Sequence, residues 1–234
     1  MELIGVLEEA TTGHVACDSL FAAEPISFTA AFLVVDVRGW SKIVRALGPD
    51  PQPAAKIIQR FWDSAAPVVA ESGGQVYAWR GDGLLVAYRG SRRLERVLKT
   101  AERLLALVRD ELAPDFAAQL RAANAETLEF TVSAAITDGQ AVPVPVRFGL
   151  NYSEELTGDW VNAAFEMVKW VATGSVGTTW EISEWIADNG PVGLPSFSWH
   201  EPEEIPFAGA VRRVRQGIPA VGPAQPGAEP PPGD

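Results

Sequence analysis

Hydrophobic and polar positions follow one another along the chain in blocks that predict strands and helices in turn. The continuous apolar run Phe28–Val37 is typical of a strand that is buried on nearly both faces. Pro53–Glu71 has apolar residues at helical intervals, and Ser72-Gly73-Gly74 ends this pattern. The β-rich segments Gln75–Trp79 and Leu84–Tyr88 enclose a short turn, which predicts a hairpin.

The second half of the chain continues the alternation. Leu94–Leu112 is amphipathic and predicts a helix, whereas Glu129–Ile136 predicts a strand that Thr137-Asp138-Gly139 turns. Trp160–Thr173 predicts a third helix, and Ala210–Val214 predicts a last strand. The order strand, helix, hairpin, helix, strand, helix, strand indicates an α/β (α+β) sandwich. We expect a mostly antiparallel sheet with helices on one face.

The two ends of the chain differ from this folded part, which we expect to span residues 28–215. Residues 1–27 have scattered small and polar residues and predict a loosely structured N-terminal arm. Residues 216–234 are rich in Pro, Gly and Ala without an apolar period, so we expect a disordered tail.

Composition and charge narrow the class of protein. The chain has 234 residues, of which 47% are hydrophobic and 21% charged, as in an ordinary globular protein. A net charge of −11 argues against a general nucleic-acid binder. The single cysteine, Cys17, fits a reducing cytosol. Met1-Glu2-Leu3 lacks the basic start of a signal peptide, and no apolar run reaches membrane-spanning length. We therefore expect a cytoplasmic protein without membrane contact.

Two aspartates are placed where they could bind a metal ion. Asp36 lies near the end of the first predicted strand, and Asp82 lies in the turn of the predicted hairpin. Two carboxylates that converge in this way would suit hard cations, which prefer oxygen ligands. Each residue also has an ordinary explanation: Asp36 as a strand-end turn former, and Asp82 as part of a type I′ turn with Gly83.

Four sequence blocks together resemble the class III nucleotide cyclases, the family of adenylate and guanylate cyclase catalytic domains. They occur in the family's order and at sensible spacing, over roughly residues 28–215. The resemblance implies a ferredoxin-like βαββαβ core. The blocks are Phe32-Leu33-Val34-Val35-Asp36-Val37-Arg38-Gly39-Trp40-Ser41, Gly73-Gly74 with Arg80-Gly81-Asp82-Gly83-Leu84-Leu85-Val86-Ala87-Tyr88, Ala134-Ala135-Ile136-Thr137-Asp138-Gly139-Gln140, and Gly158-Asp159-Trp160-Val161-Asn162-Ala163-Ala164.

The resemblance implies roles for the first two blocks. Asp36 and Asp82 would hold two divalent ions, Mg²⁺ or Mn²⁺, with the carbonyl of Val37 completing one coordination shell. The turn formed by Val37, Arg38, Gly39, Trp40 and Ser41 would bind the β- and γ-phosphates through backbone N–H groups. In that turn, Gly39 would allow close approach, and Trp40 would pack either beside the base or in the core.

Two positions of the implied base pocket depart from the purine cyclases. These enzymes have a base-reading Lys or Glu where this chain has Ala78, and their second base-reading position falls on Glu155. By strand alternation Ala78, Arg80 and Val76 would share one face. Arginine donors suit carbonyl acceptors, and uracil offers two of them. Arg80 could equally be a solvated hairpin charge.

The catalytic helix shows a further departure. The resemblance implies that Asn162 is catalytic, but the Arg expected four residues later is Glu166. Lys169 would lie one turn further along the same helix face and is our candidate for the missing cation. Arg80, Arg212 or Arg213 could also supply this charge, and Lys169 could be an ordinary surface lysine.

The chain shows a narrower likeness to the pyrimidine cyclases of Pycsar antiphage systems, through Arg80-Gly81-Asp82-Gly83 and Asp36-Val37-Arg38-Gly39-Trp40. It implies a homodimeric uridylate cyclase with shared active sites, which converts UTP to cyclic UMP and pyrophosphate in antiphage defence. A separate effector would read the product. The alternatives are a cytidylate, adenylate or guanylate cyclase, and a catalytically inactive nucleotide-binding domain.

Overall fold

The computed structural model describes residues 26–148, 151–189, 194–195, 197–207 and 210–219. Most of the predicted arm 1–27 and the tail from residue 220 lie outside these residues. Within the strands, only the backbone is described at Arg80, Arg147, Phe148, Asn151, Tyr152, Phe207, Ala210 and Val211.

Nine strands and six α-helices make up the described part of the chain. The strands are β1 (Phe28–Val37), β2 (Gln75–Arg80), β3 (Gly83–Tyr88), β4 (Val132–Phe148), β5 (Asn151–Thr157), β6 (Val176–Thr179), β7 (Phe197–Trp199), β8 (Glu203–Phe207) and β9 (Ala210–Pro219). The helices are α1 (Trp40–Ala46), α2 (Gln52–Glu71), α3 (Arg93–Leu107), α4 (Ala113–Ala122), α5 (Asp159–Met167) and α6 (Trp180–Asn189).

The strands form one mixed sheet in the order β2-β3-β1-β4-β6-β9-β7. Strand β5 extends the sheet by pairing with β4, and β8 pairs with β9. All of these pairs are antiparallel except β4–β6. This mostly antiparallel sheet with packed helices confirms the predicted α/β class.

Both faces of the sheet are covered, because successive residues of β1 point to opposite sides. Ala31, Leu33 and Val35 pack with α2, α3 and α4 in the larger hydrophobic core. Phe32 and Val34 pack in a second core with α5. The main helical layer therefore lies on one face, and the structure adds one short helix on the other.

Several predicted boundaries were wrong. The amphipathic segment Leu94–Leu112 is not one α-helix: α3 ends at Leu107, and the π-helical turn Val108–Leu112 leads into α4. The predicted helix Trp160–Thr173 ends early, at Met167. Strand β9 continues to Pro219, so residues 216–219 of the predicted tail pair with β6 and β7.

The predicted turn at Thr137-Asp138-Gly139 was also wrong, because β4 runs straight through it. Gly139 serves packing instead of turning the chain. A Cβ atom at this position would overlap the indole of Trp160, at the start of α5. The hydroxyl of Thr137 donates to the Trp160 carbonyl at 2.7 Å and fixes the same helix start.

A β-bulge changes the face of residues in β2. Val76 pairs with Val86 and Ala78 with Leu85, so Tyr77 is an extra residue. Val76 packs on the larger core, whereas Ala78 packs on the second core. The prediction that Ala78 and Val76 share a face was therefore wrong. Ala78 instead lies on the face of the sheet that packs against α5. Asp36 is on the same face, because it follows Val34 by two residues in β1.

Candidate functional site

The two predicted metal-binding aspartates come together at one end of the central strands. Asp36 lies near the end of β1, where it pairs with Gly83 on β3 and with Ser133 on β4. The amide of Val37 donates to the Asp82 carbonyl at 3.3 Å, which ties the hairpin turn to the end of β1. The two sequence-distant carboxylates therefore belong to one local site.

The hairpin turn that presents Asp82 is tight. The pair Arg80–Gly83 encloses the two residues Gly81 and Asp82, and Gly81 has a φ of 61°. Asp82 has a negative φ, since Asn124 is the only described non-glycine residue with a positive one. A positive φ at the first central residue alone is the pattern of a type II′ turn, so the type I′ alternative does not hold.

Burial and mutual repulsion both work against the charge of these carboxylates. Partial burial raises the pKa of Asp36, and the nearby Asp82 raises it further. Arg38 and Lys169 oppose this rise in the pKa of Asp36 through their positive charges. Burial also raises the pKa of Asp82, although a backbone hydrogen bond partly counters it. A bound cation would stabilise the charged form of both carboxylates and so lower the pKa of each.

The donor set fits a divalent ion that is shared with substrate phosphates. Asp36 and Asp82 would supply hard oxygen ligands, and the carbonyl of Val37, also predicted as a ligand, would add another. Among the described residues, no three His, Cys, Asp or Glu side chains form a ready-made metal cluster. Mg²⁺ typically uses one or two carboxylates together with waters and substrate phosphates, so two aspartates would be enough to hold it.

The turn after Asp36 uses part of its predicted phosphate-binding groups for the fold. The amide of Arg38 donates to the Thr131 carbonyl at 2.8 Å, and that of Val37 is bonded to Asp82. Gly39 has a φ of 68° and is the N-cap of α1. Trp40 and Ser41 are the first residues of this helix, so their amides have no intrahelical acceptor. The amides of Trp40 and Ser41 are therefore the better candidates for phosphate contact.

Two side chains of this turn have structural contacts. The Arg38 guanidinium donates to the carbonyls of Val168 and Lys169, at 3.2 and 3.4 Å, and lies 3.8 Å from Asp36 Oδ2. Arg38 thus binds the C-terminal end of α5, where cations are favoured. Trp40 is half-buried and packs on the larger core, which matches the packing role that the sequence left open.

Lys169 does not lie where helical spacing placed it. Because α5 ends at Met167, Lys169 lies in the turn that follows, where its amide donates to the backbone carbonyl of Glu166 at 3.2 Å. The prediction that Lys169 extends the helix face of Asn162 was therefore wrong. The positive charge of its ammonium group instead lowers the pKa of Asp36 in the same chain.

Asn162 and Glu155 lie together at a different place. Both line a cavity of about 410 Å³ between the β4–β5 ribbon and α5, with Val144, Thr157 and Phe165 among its walls. Neither Asp36 nor Asp82 lines this cavity. One chain therefore presents two separate groups of predicted site residues, the aspartates with Lys169 and the pair Asn162 and Glu155.

The two predicted base-reading segments adjoin. Strand β2 contacts β5, and the charge of Glu154 acts on the pKa of Tyr77, which burial raises. Ala78 follows Tyr77 in β2, and Glu155 follows Glu154 in β5. The two predicted base-reading residues therefore lie in neighbouring strands. Ala78 is half-buried on the second core and does not line the cavity of Asn162. The Arg80 side chain lies outside the described residues.

Sequence reasoning missed residues that support the site. The Ser133 hydroxyl donates to the Ala172 carbonyl at 3.0 Å, and the Gln216 side chain accepts from the Ala172 amide at 2.8 Å. Both fix the turn that contains Lys169. Ser133 lies beside Asp36 because of the register in which β1 and β4 pair. No local sequence pattern indicates this register.

Comparison with known proteins gives a fold and no close relative. The sequence matches no protein-family model, and no curated protein matches it either. Solved structures do match, at low sequence identity. In the part of the chain that the structure describes, no helix has the length and apolar character needed to cross a membrane.

The similar structures are cyclase catalytic domains. The guanylyl cyclase Cya2 superimposes with a TM-score of 0.69 at 15% identity, over 87% of this chain and 97% of that one. The guanylate cyclase domain of RhGC from Catenaria anguillulae, in complex with GTP, gives 0.66 at 13% identity, over 84% and 99%. The adenylyl cyclase CyaB from P. aeruginosa gives 0.62 at 12% identity, over 84% and 96%. The chain thus has the fold of the class III nucleotide cyclase catalytic domains.

Proposed function

We propose that this protein is a nucleotide cyclase that acts with two divalent ions. The observation that supports this most is the pair of half-buried carboxylates, Asp36 and Asp82, joined at the ends of β1 and the β2–β3 hairpin. The fold shared with solved adenylyl and guanylyl cyclases supports the same conclusion.

The reaction joins two ends of one substrate. The ribose 3′-oxygen forms a bond to the α-phosphorus, the bond from that phosphorus to the β-phosphate bridging oxygen breaks, and pyrophosphate leaves with the electron pair. The hydroxyl proton passes to solvent. When bound, the divalent ions would lower the pKa of the hydroxyl and offset the charge of the triphosphate. The amides of Trp40 and Ser41 would orient the β- and γ-phosphates, and Asn162 would position the ribose.

We propose UTP as the substrate and cyclic UMP as the product. Ala78 supports this, because it has no group to bond a purine and lies on the α5 face. Arg80 follows Ala78 by two residues, and the bulge lies before both of them. By strand alternation, position 80 therefore belongs to the same face of β2 as Ala78. The Arg80 guanidinium would donate to a uracil carbonyl, a kind of acceptor that adenine lacks. Release of cyclic UMP to a separate antiphage effector completes this proposal.

The active form would be a homodimer with two shared sites. Asp36 and Asp82 line a different surface from the cavity of Asn162 and Glu155. In a two-fold symmetric dimer, the aspartate surface of each subunit could lie opposite the Asn162 cavity of its partner. Each of the two active sites would then contain residues from both subunits.

The decisive experiment is incubation of the purified protein with ATP, GTP, CTP and UTP separately, each with Mn²⁺, followed by chromatographic separation of the products. We expect cyclic UMP to form fastest. Faster turnover of ATP or GTP would refute the pyrimidine proposal while leaving a cyclase, and preferred turnover of CTP would move the base assignment to cytosine. Absence of any cyclic product would favour an inactive nucleotide-binding domain.

A further inference from the structure

The turn after α5, formed by residues 168–172, is fixed firmly to the sheet. Val168 and Val171 are 3% and 2% exposed and pack in the second core. Val171 lies so close to Gly177 that a Cβ atom there would overlap it. Hydrogen bonds from Ser133 and to Gln216 hold Ala172. Lys169 and Trp170 are the exposed residues between these anchors, and Trp170 is 55% exposed.

The anchors of this turn belong to the strand ends that present Asp36. Ser133 is the direct pairing partner of Asp36 on β4. Arg38, two residues after Asp36, bonds the carbonyls of Val168 and Lys169. The same guanidinium lies 3.8 Å from Asp36 Oδ2. The backbone of Lys169 is therefore tied to the aspartate site of its own subunit.

Asn162 lies earlier in the chain, within the first half of α5. Asn162 precedes Met167, the last residue of α5, by five positions, which corresponds to about 7.5 Å along the helix axis. It lines the cavity with Glu155, away from the aspartates. A shared site that takes Asp36 and Asp82 from one subunit and Asn162 from its partner would consequently take Lys169 from the first subunit.

We propose that Lys169 binds the triphosphate held by Asp36 and Asp82 of its own subunit, and that Arg38 is the residue that positions it. This proposal rests on the proposed cyclase function and assigns the source of the cation missing at Glu166. The ammonium group offsets phosphate charge during departure of pyrophosphate and transfers no proton. Each active site then takes its lysine and its asparagine from different subunits.

Mixed dimers distinguish this arrangement from one in which both residues come from the partner. After subunit exchange, Asn162→Ala with Lys169→Ala should recover about a quarter of the wild-type rate, because half of the dimers are mixed and one of their two sites is intact. Asp36→Ala with Lys169→Ala should show no gain over Lys169→Ala alone. The opposite pair of results would place Lys169 in the partner's site and overturn the proposal.

A third mixture separates this inference from the proposed function. Asp36→Ala with Asn162→Ala should also recover about a quarter of the rate, since it tests only the shared site. Failure of this mixture, with exchange verified, would overturn the shared-site cyclase and the lysine assignment together. Recovery here with the opposite results above would overturn only the lysine assignment.

Single variants test the role of the charge. Lys169→Ala should lower kcat/KM by roughly 10- to 100-fold, whereas Lys169→Arg should retain most activity. Lys56→Ala, on the exposed side of α2, is the matched control and should behave as wild type. Wild-type activity of Lys169→Ala would overturn the proposal.

Binding of pyrophosphate gives a readout that does not depend on turnover. With Mn²⁺ present, calorimetry should show roughly tenfold weaker binding to Asn162→Ala/Lys169→Ala than to Asn162→Ala. Equal affinity would overturn direct contact between Lys169 and the phosphates. Arg38→Gln should weaken binding as well, but should have no further effect in the Lys169→Ala background. Additive losses would overturn the positioning role of Arg38.

Discussion

Asp36 and Asp82 are placed at a cost to the stability of the fold. Burial raises the pKa of each, and their proximity raises that of Asp36 further. A carboxyl with a raised pKa is protonated more readily in the folded than in the unfolded chain. Its contribution to stability therefore falls as pH rises from the ordinary value of 3.8 through the raised value. At neutral pH the full penalty is present unless a cation is bound.

The first residue-scale prediction concerns the neutral variant Asp36→Asn. Without divalent ions at pH 7, it should raise Tm by about 1–3 °C, a small effect because Asp36 is 34% exposed and solvent screens its charge. The gain should shrink as the pH is lowered towards the ordinary pKa of aspartate. Asp188→Asn, on exposed α6, is the control. Thermal unfolding by circular dichroism measures both.

The same carboxylates should be indispensable for turnover. Asp36→Ala and Asp82→Ala should each abolish activity while leaving the domain folded, because a divalent ion would lose one of its few protein ligands. Product formation and circular dichroism of the same samples test this. More than a few per cent of the wild-type rate in either folded variant would refute two-ion catalysis.

Arg80 allows a test of base selection. Arg80→Ala should reduce turnover of UTP more than it reduces affinity for Mn²⁺, since a donor to uracil is lost and the carboxylates remain. Steady-state kinetics with UTP and calorimetric titration of Mn²⁺ give the two quantities. Unchanged kcat/KM for UTP would mean that Arg80 is a solvated hairpin charge.

At the scale of elements, long periodic segments were predictable and close packing was not. Predicted β1 matches, and α2 differs from its prediction by one residue, because long apolar patterns define them. Thr137-Asp138-Gly139 has the composition of a turn, yet Gly139 is required by the neighbouring indole of Trp160. The bulge at Tyr77 depends on pairing with β3 and leaves no mark in the sequence.

The candidate site also has residues whose positions were predictable from local sequence and residues whose positions were not. The positions of Asp36 and Asp82 followed from local patterns, a strand end and a hairpin turn. The location of Lys169 did not, because helical spacing assumes a helix that in fact ends at Met167. The contacts of Arg38 with Val168 and Lys169 join residues that are 130 and 131 positions apart, beyond any local signal.

Gly139 provides the element-scale prediction. Gly139→Ala should destabilise the domain by about 1–3 kcal/mol, because the added methyl displaces Trp160 from the start of α5. Urea unfolding measures the loss. Trp160→Leu should make the Gly139→Ala substitution less costly, because the smaller side chain leaves room for the methyl. Additive losses in the double variant would show that the two residues do not clash.

At the scale of the whole molecule, the placement of Asn162 away from Asp36 has a kinetic consequence. If each active site needs both subunits, a monomer has no complete site, and activity must follow the dimer population. The net charge of −11 on every chain opposes association at low salt, so the monomer should become accessible on dilution.

The last prediction is that specific activity falls on dilution. At constant saturating UTP and Mn²⁺, the rate per subunit should be constant at high protein concentration and should decline once the concentration drops below the dissociation constant of the dimer. Sedimentation velocity on the same dilutions should give the same midpoint, measured independently of turnover. Adding inactive Asn162→Ala protein to a dilute wild-type sample should partly restore the rate, since its aspartates and Lys169 can complete a site with the wild-type Asn162. A rate per subunit that stays constant while sedimentation shows monomers would mean that one chain holds a complete site, and would refute the shared-site dimer.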